Sequence, residues 1–313
     1  MGKVIVTGGA GFIGSHVVDL LIERGKDVIV IDNMSSGKIE NIEQHKSIHL
    51  YEYDINDDRL KDVFADHIDV EGLIHLAAQS KVTPSVEDPN YDAKININGT
   101  IHLLELCRKH GVQNVVYASS AAVYGHTETL PIVEETTVQP LSPYGVSKYA
   151  GEEYVKAFGR LYEMNVHALR FANVYGPRQS AETEAGVITI FIEQLMSGAQ
   201  PVIFGDGEQT RDFVYVEDVA KAVMSCLLDA SSERIDRVYN VSTGYETSIN
   251  NLLQEMCKVL QIDFSPQYKE ERPGDIKESY LANDRLRTDY KWEPNVALPE
   301  GILKTINYYR ENK

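Results

Sequence analysis

Residues Lys3–Gly14 read Lys-Val-Ile-Val-Thr-Gly-Gly-Ala-Gly-Phe-Ile-Gly, an apolar run that meets three glycines spaced three residues apart. These are Gly8, Gly11 and Gly14, and an amphipathic segment begins at Ile13. When a strand turns at once into a helix, the first helical amides face an anion. The turn then needs glycine wherever the main chain twists or a pyrophosphate approaches it. We therefore predict a dinucleotide site here; the alternative is a plain glycine turn.

A second apolar run, Asp27–Ile31, ends in Asp32. A carboxylate at the end of this strand can accept two hydrogen bonds from ribose hydroxyls, and it would repel a 2′-phosphate. The sequence therefore favours NAD over NADP as the dinucleotide.

Length and charge limit the classes of protein that the chain can represent. Its 313 residues, 43% of them hydrophobic, can bury a large core and suffice for one big domain or two coupled ones. The formal net charge of -17 opposes nucleic acid and anionic membranes as general partners. An anionic substrate would need arginines placed locally around it.

The cysteines and the start of the chain indicate a cytoplasmic enzyme. Cys107, Cys226 and Cys257 lie far apart in apolar, helical stretches, so we interpret them as buried thiols and predict neither a disulfide nor a metal site. The first strand begins at Lys3, which leaves no room for a signal sequence. No apolar run approaches the roughly 20 residues that span a bilayer.

Short apolar runs alternate with segments of helical period, which predicts an α/β fold with a doubly wound parallel sheet. The predicted strands are Lys3–Val6, Asp27–Ile31, Ile48–Tyr53, Gly72–Ala77, Asn114–Ala118 and Val166–Arg170. The predicted crossover helices are Ile13–Arg24, Tyr91–His110 and Tyr144–Tyr162.

The regular alternation weakens after about Arg170. A loop over Gly176–Gly186 precedes a predicted helix near Ile188–Met196 and short strands near Val202–Phe204 and Asp212–Val216, and Val238–Val241 could be one more strand of the main sheet. We therefore predict a dinucleotide-binding domain over 1–172, to which 213–241 returns, and a substrate domain assembled from 173–212 and 242–313.

Tyr144 and Lys148 are four residues apart on a predicted helix, so their side chains share one face. Such a pair arises easily by chance, but Tyr144 begins a long helix, and an earlier strand ends in Ser119 and Ser120, where a doubly wound sheet binds its ligands. These residues could instead form a solvated helix face and a serine turn. A phenol with a pKa near 10 is a poor base at neutral pH, so we expect the Lys148 ammonium and a positive nicotinamide ring to lower its pKa.

Together, the glycine turn, the Leu76-Ala77-Ala78 run, Ser120 and the Tyr144/Lys148 pair resemble the extended short-chain dehydrogenase/reductases, and among them the nucleotide-sugar epimerases. The resemblance implies a Rossmann-type sheet with a smaller α/β substrate domain, bound NAD, and a homodimer built through the Tyr91–His110 and Tyr144–Tyr162 helices. It implies cofactor contacts from Gly8, Gly11, Phe12, Ile13, Gly14, Asp32, Asn33, Gly37, Asp54, Ile55, Leu76, Ala77, Ala78, Asn96, Ser119, Tyr144 and Lys148.

Later segments resemble the UDP-sugar contacts of the same epimerases: Leu169–Arg178, Arg211–Asp218 and Arg272–Asp275. The resemblance implies that Asn173, Arg211 and Arg272 hold the diphosphate, that Asp275 binds a ribose hydroxyl and that Phe204 lies on the uracil. It also implies substrate contacts from Ser120, Tyr144, Val187 and Ser279. Guanidinium groups suit phosphate oxygens, although each arginine by itself could be a structural ion pair.

Three positions depart from sister families in this resemblance. Ala121 and Ala122 stand where similar dehydratases carry an Asp-Glu pair, Ala122 also replaces the glutamate of UDP-glucuronate decarboxylases, and Ser180 stands where UDP-glucuronate 4-epimerases carry an arginine. A neutral hexose is therefore favoured. The alternative is a UDP-glucuronate 4-epimerase or another nucleotide-sugar dehydratase or decarboxylase.

The implied reaction is the reversible oxidation of carbon 4 of a UDP-hexose. Tyr144 accepts the hydroxyl proton, Ser120 hydrogen bonds to the same oxygen, and hydride leaves to bound NAD and returns to the other face of the 4-ketosugar. Ser279 lies where a bulky family residue excludes an N-acetyl group, so we predict activity on both plain and N-acetylated UDP-hexoses. A net oxidoreductase and a non-catalytic NAD sensor are the other classes of function.

Overall fold

The computed structural model describes residues 2–42, 45–180, 186–228, 236–271 and 276–312. In chain order the strands are β1 (Lys3–Thr7), β2 (Asp27–Ile31), β3 (Ile48–Tyr51), β4 (Val70–His75), β5 (Asn114–Ser120), β6 (Asn165–Phe171), β7 (Asn173–Tyr175), β8 (Val202–Phe204), β9 (Thr210–Arg211), β10 (Phe213–Tyr215), β11 (Asp236–Val241), β12 (Thr247–Ser248) and β13 (Gln267–Lys269).

The α-helices are α1 (Phe12–Glu23), α2 (Leu60–Asp66), α3 (Val82–Glu87), α4 (Pro89–Ala93), α5 (Thr100–His110), α6 (Pro143–Tyr162), α7 (Val187–Met196), α8 (Val216–Leu227), α9 (Ile249–Leu260), α10 (Asp284–Tyr290) and α11 (Leu298–Glu311). A π-helical turn, Lys94–Gly99, joins α4 to α5, and 3₁₀ turns occupy Ile39–Asn41 and Ala121–Val123. Among the described residues, no helix combines the length and the apolar character that crossing a membrane requires.

Seven strands form the main sheet in the order β11-β6-β5-β4-β1-β2-β3, and the pairs from β6 to β3 are parallel. The chain runs outward from β1 to β3 and then returns to β4 on the other side of β1. In such sheets ligands bind beyond the carboxyl ends of the strands at this point of reversal. The predicted α/β fold with a doubly wound parallel sheet is confirmed.

Buried apolar strands explain this sheet. In β1 and β2, Val4–Val6 and Val28–Ile31 are fully buried, as expected for strands covered on both faces. Of these, Ile5, Ile29 and Ile31 pack with side chains of α2, α5 and α6 in one apolar cluster. All three cysteines are buried, which agrees with their interpretation as core thiols.

Several elements differ by a few residues from their predicted extents, and two of these differences bear on the predicted site. Strand β4 ends at His75, so the Leu76-Ala77-Ala78 run follows the strand instead of completing it. The predicted helix Tyr91–His110 is divided by the π-helical turn, in which Asn96 is buried. A π turn adds one residue to a helical turn, and hydrophobic periodicity over a long segment does not resolve such a local change.

The chain divides into two compact units. The first comprises Met1–His126, Glu135–Phe171 and Ala220–Tyr239, and the second comprises Thr127–Glu134, Ala172–Val219 and Asn240–Lys313. Residues 213–219, predicted to return to the dinucleotide domain, lie in the second unit because β10 pairs with β7. The assignment of cofactor and substrate binding to separate domains stays a prediction.

The second unit contains short strand pairs between segments far apart in sequence. Strands β7 and β10 pair in parallel, as do β8 and β13, whereas β9 and β12 are antiparallel. Its apolar cluster contains side chains of α7, α9 and α11. Pairs of two or three residues give little periodic signal, which explains why the sequence pattern weakened after β6.

Candidate active site

The glycine turn after β1 is shaped for close approach of the backbone. Gly8 has a φ of +69°, and an added Cβ would lie 2.7 Å from the Ala77 amide nitrogen. A Cβ on Gly14 would overlap the Gly8 carbonyl oxygen. The lack of a side chain at both positions therefore lets the turn pack closely against neighbouring backbone. At Gly11 a Cβ would meet only the Gly8 oxygen, at 3.2 Å. The surface of the turn is therefore open at the start of α1, and this geometry fits a pyrophosphate.

Asp32 lies at the end of β2 and is buried. Its carboxylate accepts hydrogen bonds from the Ala10 and Met34 amides, each at 2.9 Å. Burial raises its pKa, and the backbone hydrogen bonds oppose that rise. An added Cβ on Gly37 would lie 2.8 Å from the carboxylate. A carboxylate offers about four acceptor positions, so Asp32 can accept these two backbone hydrogen bonds and still accept hydrogen bonds from a ribose.

The other predicted cofactor residues of the first unit follow neighbouring strands. The Asn33 amide donates to Asp54 (3.0 Å), and Ile55 is buried. After β4, the Leu76 and Ala77 amides both donate to the Thr7 carbonyl at 3.1 Å. The remaining predicted members of this group are Phe12, which is buried, and Ile13 and Ala78, which are half-buried. These residues thus follow β1, β2, β3 and β4, whose carboxyl ends lie at one edge of the sheet; their contacts with NAD stay predictions.

Helix α6 lies close to the end of β5 because glycines occupy two positions where a side chain would collide. Ser142 caps the helix by accepting the Gly145 amide at 3.1 Å. A Cβ on Gly145 would lie 2.6 Å from the Ala122 carbonyl oxygen, and one on Gly151 would overlap the Tyr117 hydroxyl. These contacts hold the first turn of α6 against the chain that follows β5, as the predicted pairing of Tyr144 with Ser120 requires.

Tyr144 is half-buried, and its phenol lies near enough to Ser120 for that side chain to lower its pKa. The Tyr144 amide donates to the Ser85 hydroxyl at 3.0 Å, which fixes the start of the helix. Burial raises the pKa of Tyr144, the Ser120 side chain lowers it, and the charge of Asp92 raises it. The sequence predicted a lowered pKa. The chain's own groups do the opposite because desolvation dominates, so the predicted lowering depends on the cofactor's charge.

Lys148 is 4% exposed, and its ammonium donates to the Ala118 carbonyl at 2.8 Å. The nitrogen also lies 5.2 Å from the centre of the Tyr117 ring. Burial lowers the pKa of Lys148 to about 8, although the charge of Asp92 opposes this shift. Lys148 is therefore mostly charged at pH 7, although this pH lies close to its pKa.

Sequence reasoning missed a buried ion pair behind these residues. Glu152 is fully buried and accepts two hydrogen bonds from Arg170, at 2.6 and 3.0 Å. The Ser119 hydroxyl donates to the same carboxylate at 3.0 Å. The predicted cofactor contact of Ser119 therefore competes with a hydrogen bond inside the protein. The sequence did contain a signal, because Glu152 follows Lys148 by four residues on the same helix.

Asn96 was also predicted to contact the cofactor, and the structure uses its amide internally. The amide nitrogen lies 2.9 Å from the Gln79 carbonyl and 3.0 Å from the Ser147 hydroxyl, and the amide oxygen accepts the Gln79 backbone N–H at 2.9 Å. Asn96 therefore joins the chain that follows the Leu76-Ala77-Ala78 run to the first turns of α6.

In the second unit, the predicted substrate residues lie on short strands and loops. One Arg211 nitrogen donates to the Thr210 and Ile276 carbonyls, each at 2.7 Å, so this guanidinium binds backbone as well as any ligand. We call Arg211 and the chain from Ile276 to Ser279 the Arg211 segment. Asn173 is exposed, and Val187, Phe204 and Ser279 are half-buried. Arg272 and Asp275 lie outside the described residues.

The model of the NAD dependent epimerase/dehydratase family matches residues 4–242 of this chain, most of its length. The chain belongs to this family. The protein is thus an NAD-dependent enzyme, as the glycine turn and Asp32 predicted.

Similar proteins extend over the full length of this family member. A putative UDP-glucose 4-epimerase of Methanocaldococcus jannaschii is 44% identical, with 99% of each chain covered. The solved structure of the Thermotoga maritima UDP-glucose 4-epimerase with UDP-glucose is 42% identical, with a TM-score of 0.93 and 99% of both chains covered. A UDP-N-acetylglucosamine 4-epimerase of Methanobrevibacter ruminantium, solved with UDP-N-acetylmuramic acid, is 36% identical, with a TM-score of 0.94 and coverage of 100% of this chain and 99% of that one.

Proposed function

We propose that the protein is a UDP-hexose 4-epimerase that interconverts UDP-glucose with UDP-galactose, and UDP-N-acetylglucosamine with UDP-N-acetylgalactosamine, through a 4-ketosugar. The observation that carries this proposal is the Tyr144 phenol close enough to Ser120 for that side chain to lower its pKa, one helical turn before the buried Lys148 ammonium. The similarity of this chain to proteins named UDP-glucose and UDP-N-acetylglucosamine 4-epimerases supports the same substrate class.

In this proposal Tyr144 accepts the proton of the sugar's C4 hydroxyl and later returns it to the ketone oxygen. Ser120 holds that oxygen by a hydrogen bond, and Lys148 places a positive charge one turn along the helix. When bound, NAD⁺ supplies the hydride acceptor and a positively charged ring that favours the phenolate. Because burial raises the pKa of Tyr144 in the chain by itself, we expect the phenol to become an effective base only in the loaded enzyme.

The turn after Ser120 argues for epimerisation over elimination or decarboxylation. Ala121 and Ala122 begin a 3₁₀ turn, and the Ala122 amide donates to the Ser120 hydroxyl at 3.1 Å. A methyl side chain can neither donate nor accept a proton. The acid and base that removal of water needs are therefore missing from the two positions that follow Ser120, and a reaction that needs only Tyr144 is favoured.

For the nucleotide part of the substrate, we keep the sequence predictions as proposals. Asn173, Arg211 and Arg272 hold the diphosphate, Asp275 a ribose hydroxyl and Phe204 the uracil, while Val187 and Ser279 contact the substrate. Ser279 is half-buried and small, which leaves volume for an acetamide group. Its segment is tied to the fold at Ile276 by Arg211 and at Lys277 by the Thr210 amide (2.8 Å). A fixed backbone makes the size of side chain 279 the variable that selects the sugar.

We also propose that the protein is a homodimer whose interface includes α6. Val146 and Leu161 on this helix are 50% and 70% exposed, and a second copy of the chain could cover this apolar surface. Light scattering at micromolar concentration tests this proposal: a mass near twice 35.1 kDa supports it, and a mass near 35.1 kDa contradicts it.

The experiment for the function is incubation of the purified protein with UDP-galactose, UDP-N-acetylgalactosamine and UDP-glucuronate in separate reactions. An epimerase yields the C4 epimer, reaches the same ratio from either side, and accumulates neither a ketosugar nor reduced cofactor in solution. A lasting ketosugar or stoichiometric reduced cofactor would indicate a net oxidoreductase or dehydratase. Turnover of UDP-glucuronate alone would assign the acidic sugar instead.

A further inference from the structure

Asp92, near the end of α4, is a buried carboxylate without a role in the predicted site; it is 1% exposed. Its Oδ1 accepts hydrogen bonds from the Gln79 amide at 2.8 Å and the Asn96 amide at 3.1 Å. Both donors are neutral. Burying a carboxylate costs several kcal/mol unless a positive charge balances it. The burial of Asp92 therefore implies a positive charge close to it.

The hydrogen bonds of Asp92 lead towards the first turns of α6. The Asn96 amide nitrogen, which donates to Asp92, also lies 3.0 Å from the Ser147 hydroxyl. Ser147 donates in turn to the Tyr144 carbonyl at 3.1 Å. Gln79, the other partner, exchanges backbone hydrogen bonds with the Asn96 amide. Asp92 is thus the common acceptor for two side chains that position the turn carrying Tyr144.

The charged and titratable groups around Asp92 and Lys148 come from five elements. His75 on β4 is buried, with a pKa lowered to about 3 by burial and the charge of Lys148, so it is neutral. Tyr117 on β5 and Tyr144 on α6 are phenols whose pKa values are raised. At the two ends of α3, Lys81 is half-buried and Glu87 is exposed. The remaining groups are Glu152 on α6 and Arg170 on β6, which are paired with each other.

Within this cluster the negative charge of Glu152 is matched by Arg170. The two remaining buried charges are those of Asp92 and Lys148, which have opposite sign. The charge of Asp92 raises the pKa of Lys148 against the effect of burial, so the two groups interact across the cluster. The charges thus link Asp92 to Lys148, and the hydrogen bonds link it to the turn of α6 that carries Tyr144.

We propose that Asp92 is a positioning residue of the reaction: its carboxylate balances the buried charge of Lys148 while its hydrogen bonds hold Gln79 and Asn96 against the turn that carries Tyr144. This residue acts through Lys148 and Tyr144 and does not itself touch the substrate. The proposal rests on the proposed function for its kinetic readout, and a direct titration of Lys148 tests it independently.

Asp92→Asn is the variant that separates charge from shape, because it keeps the Oδ1 acceptor and removes the charge. A nearby negative charge raises the pKa of both Tyr144 and Lys148. Its removal shifts both limbs of the pH–rate profile of the NAD-loaded enzyme to lower pH, by about one unit. A purely structural role would lower kcat and leave the limbs in place. Asp88→Asn is the matched control, because exposed Asp88 caps the same helix and asparagine caps equally well.

The readout that does not depend on turnover is an NMR titration of lysine side chains, with the Lys148 signal assigned by its loss in Lys148→Arg. We expect the Lys148 pKa to fall by about one unit in Asp92→Asn and to stay unchanged in Asp88→Asn. An unchanged Lys148 pKa in a folded Asp92→Asn protein overturns the proposal. If Asp92→Asn does not fold, Asp92→Glu replaces it, and the proposal requires that this variant keep the Lys148 pKa of the wild type. A Lys148 pKa well below 7 in the wild-type protein also overturns the proposal. Failure of every sugar to turn over, with the expected titration shift, overturns the epimerase function instead.

Discussion

The cluster around Tyr144 and the Arg211 segment are built in different ways. Around Tyr144, four ionisable side chains are buried (Asp92, Lys148, Glu152 and Arg170), and the pKa of Lys148 is lowered to about 8. In the Arg211 segment the guanidinium is held by backbone carbonyls, and Ser279 is half-buried. Under the proposed function, the fold fixes the reacting groups in advance, and the side chains of the Arg211 segment select the sugar.

Replacement of the phenol should have the largest effect. We expect Tyr144→Phe to lower kcat by about 10²- to 10⁴-fold, because a positioned proton acceptor contributes an effect of this size. NAD binding, measured by calorimetry, should be retained. Tyr154→Phe, which removes a hydroxyl from an exposed tyrosine of the same helix, should keep full activity. Equal kcat values for the two variants would contradict the role of Tyr144.

This contrast also shows what the sequence could predict. The glycine turn, Asp32 and the Tyr144/Lys148 spacing are local patterns, and they supported the prediction of an NAD-dependent family. The alternation of apolar runs with segments of helical period predicted the parallel sheet. The hydrogen bonds of Asp92 and Glu152 could not be foreseen in the same way. Asp92 meets Gln79, and Glu152 meets Arg170, only after β4, β5 and β6 assemble. The raised pKa of Tyr144 likewise depends on burial, which a helical spacing does not reveal.

Breaking the buried ion pair should have the next largest effect. Glu152→Ala leaves Arg170 buried without its carboxylate, so we expect the free energy of unfolding to fall by about 3–5 kcal/mol in urea titrations. In the second unit, Glu255 pairs with Lys258 at 2.6 Å, but their side chains are 32% and 61% exposed. Glu255→Ala should therefore cost less than about 1 kcal/mol. Similar losses for the two variants would show that the buried network is not a special feature of the Tyr144 cluster.

Lys148→Met tests whether the buried ammonium is held at a cost to stability. A pKa lowered from 10.5 to about 8 means that the unfolded chain binds more protons between these pH values. The charge therefore costs the cofactor-free protein about 3 kcal/mol at pH 7, and this cost fades as pH rises from 8 towards 10.5. After the loss of the Ala118 hydrogen bond, we expect the variant to be more stable by about 1–2 kcal/mol at pH 7, while turnover is lost.

The control for this prediction is Lys156→Met on the same helix, whose ammonium pairs with Glu153 at 2.6 Å and whose side chain is 23% exposed. Thermal unfolding of the three proteins from pH 7 to 10 provides the measurement. A stability gain for Lys148→Met that does not shrink above pH 8 would show that the effect comes from packing and not from charge.

The smallest predicted effect concerns the choice of sugar. Ser279→Tyr should lower the ratio of kcat/KM for UDP-N-acetylgalactosamine to that for UDP-galactose by about tenfold, because the larger side chain removes the volume for the acetamide. Ser279→Ala keeps that volume and should keep the ratio. An unchanged ratio in Ser279→Tyr would mean that another residue selects the sugar, and the Arg211 segment would lose its proposed role.

The most direct test of the central claim is to follow the hydrogen at carbon 4. UDP-galactose deuterated at C4 should give UDP-glucose that carries deuterium at the same carbon, with none lost to water or passed to other sugar molecules. Tyr144→Phe should slow this conversion by about 10²- to 10⁴-fold without changing the position of the label. Replacement of the deuterium by solvent hydrogen would contradict the reversible oxidation at carbon 4 and, with it, the proposed role of the Tyr144 cluster.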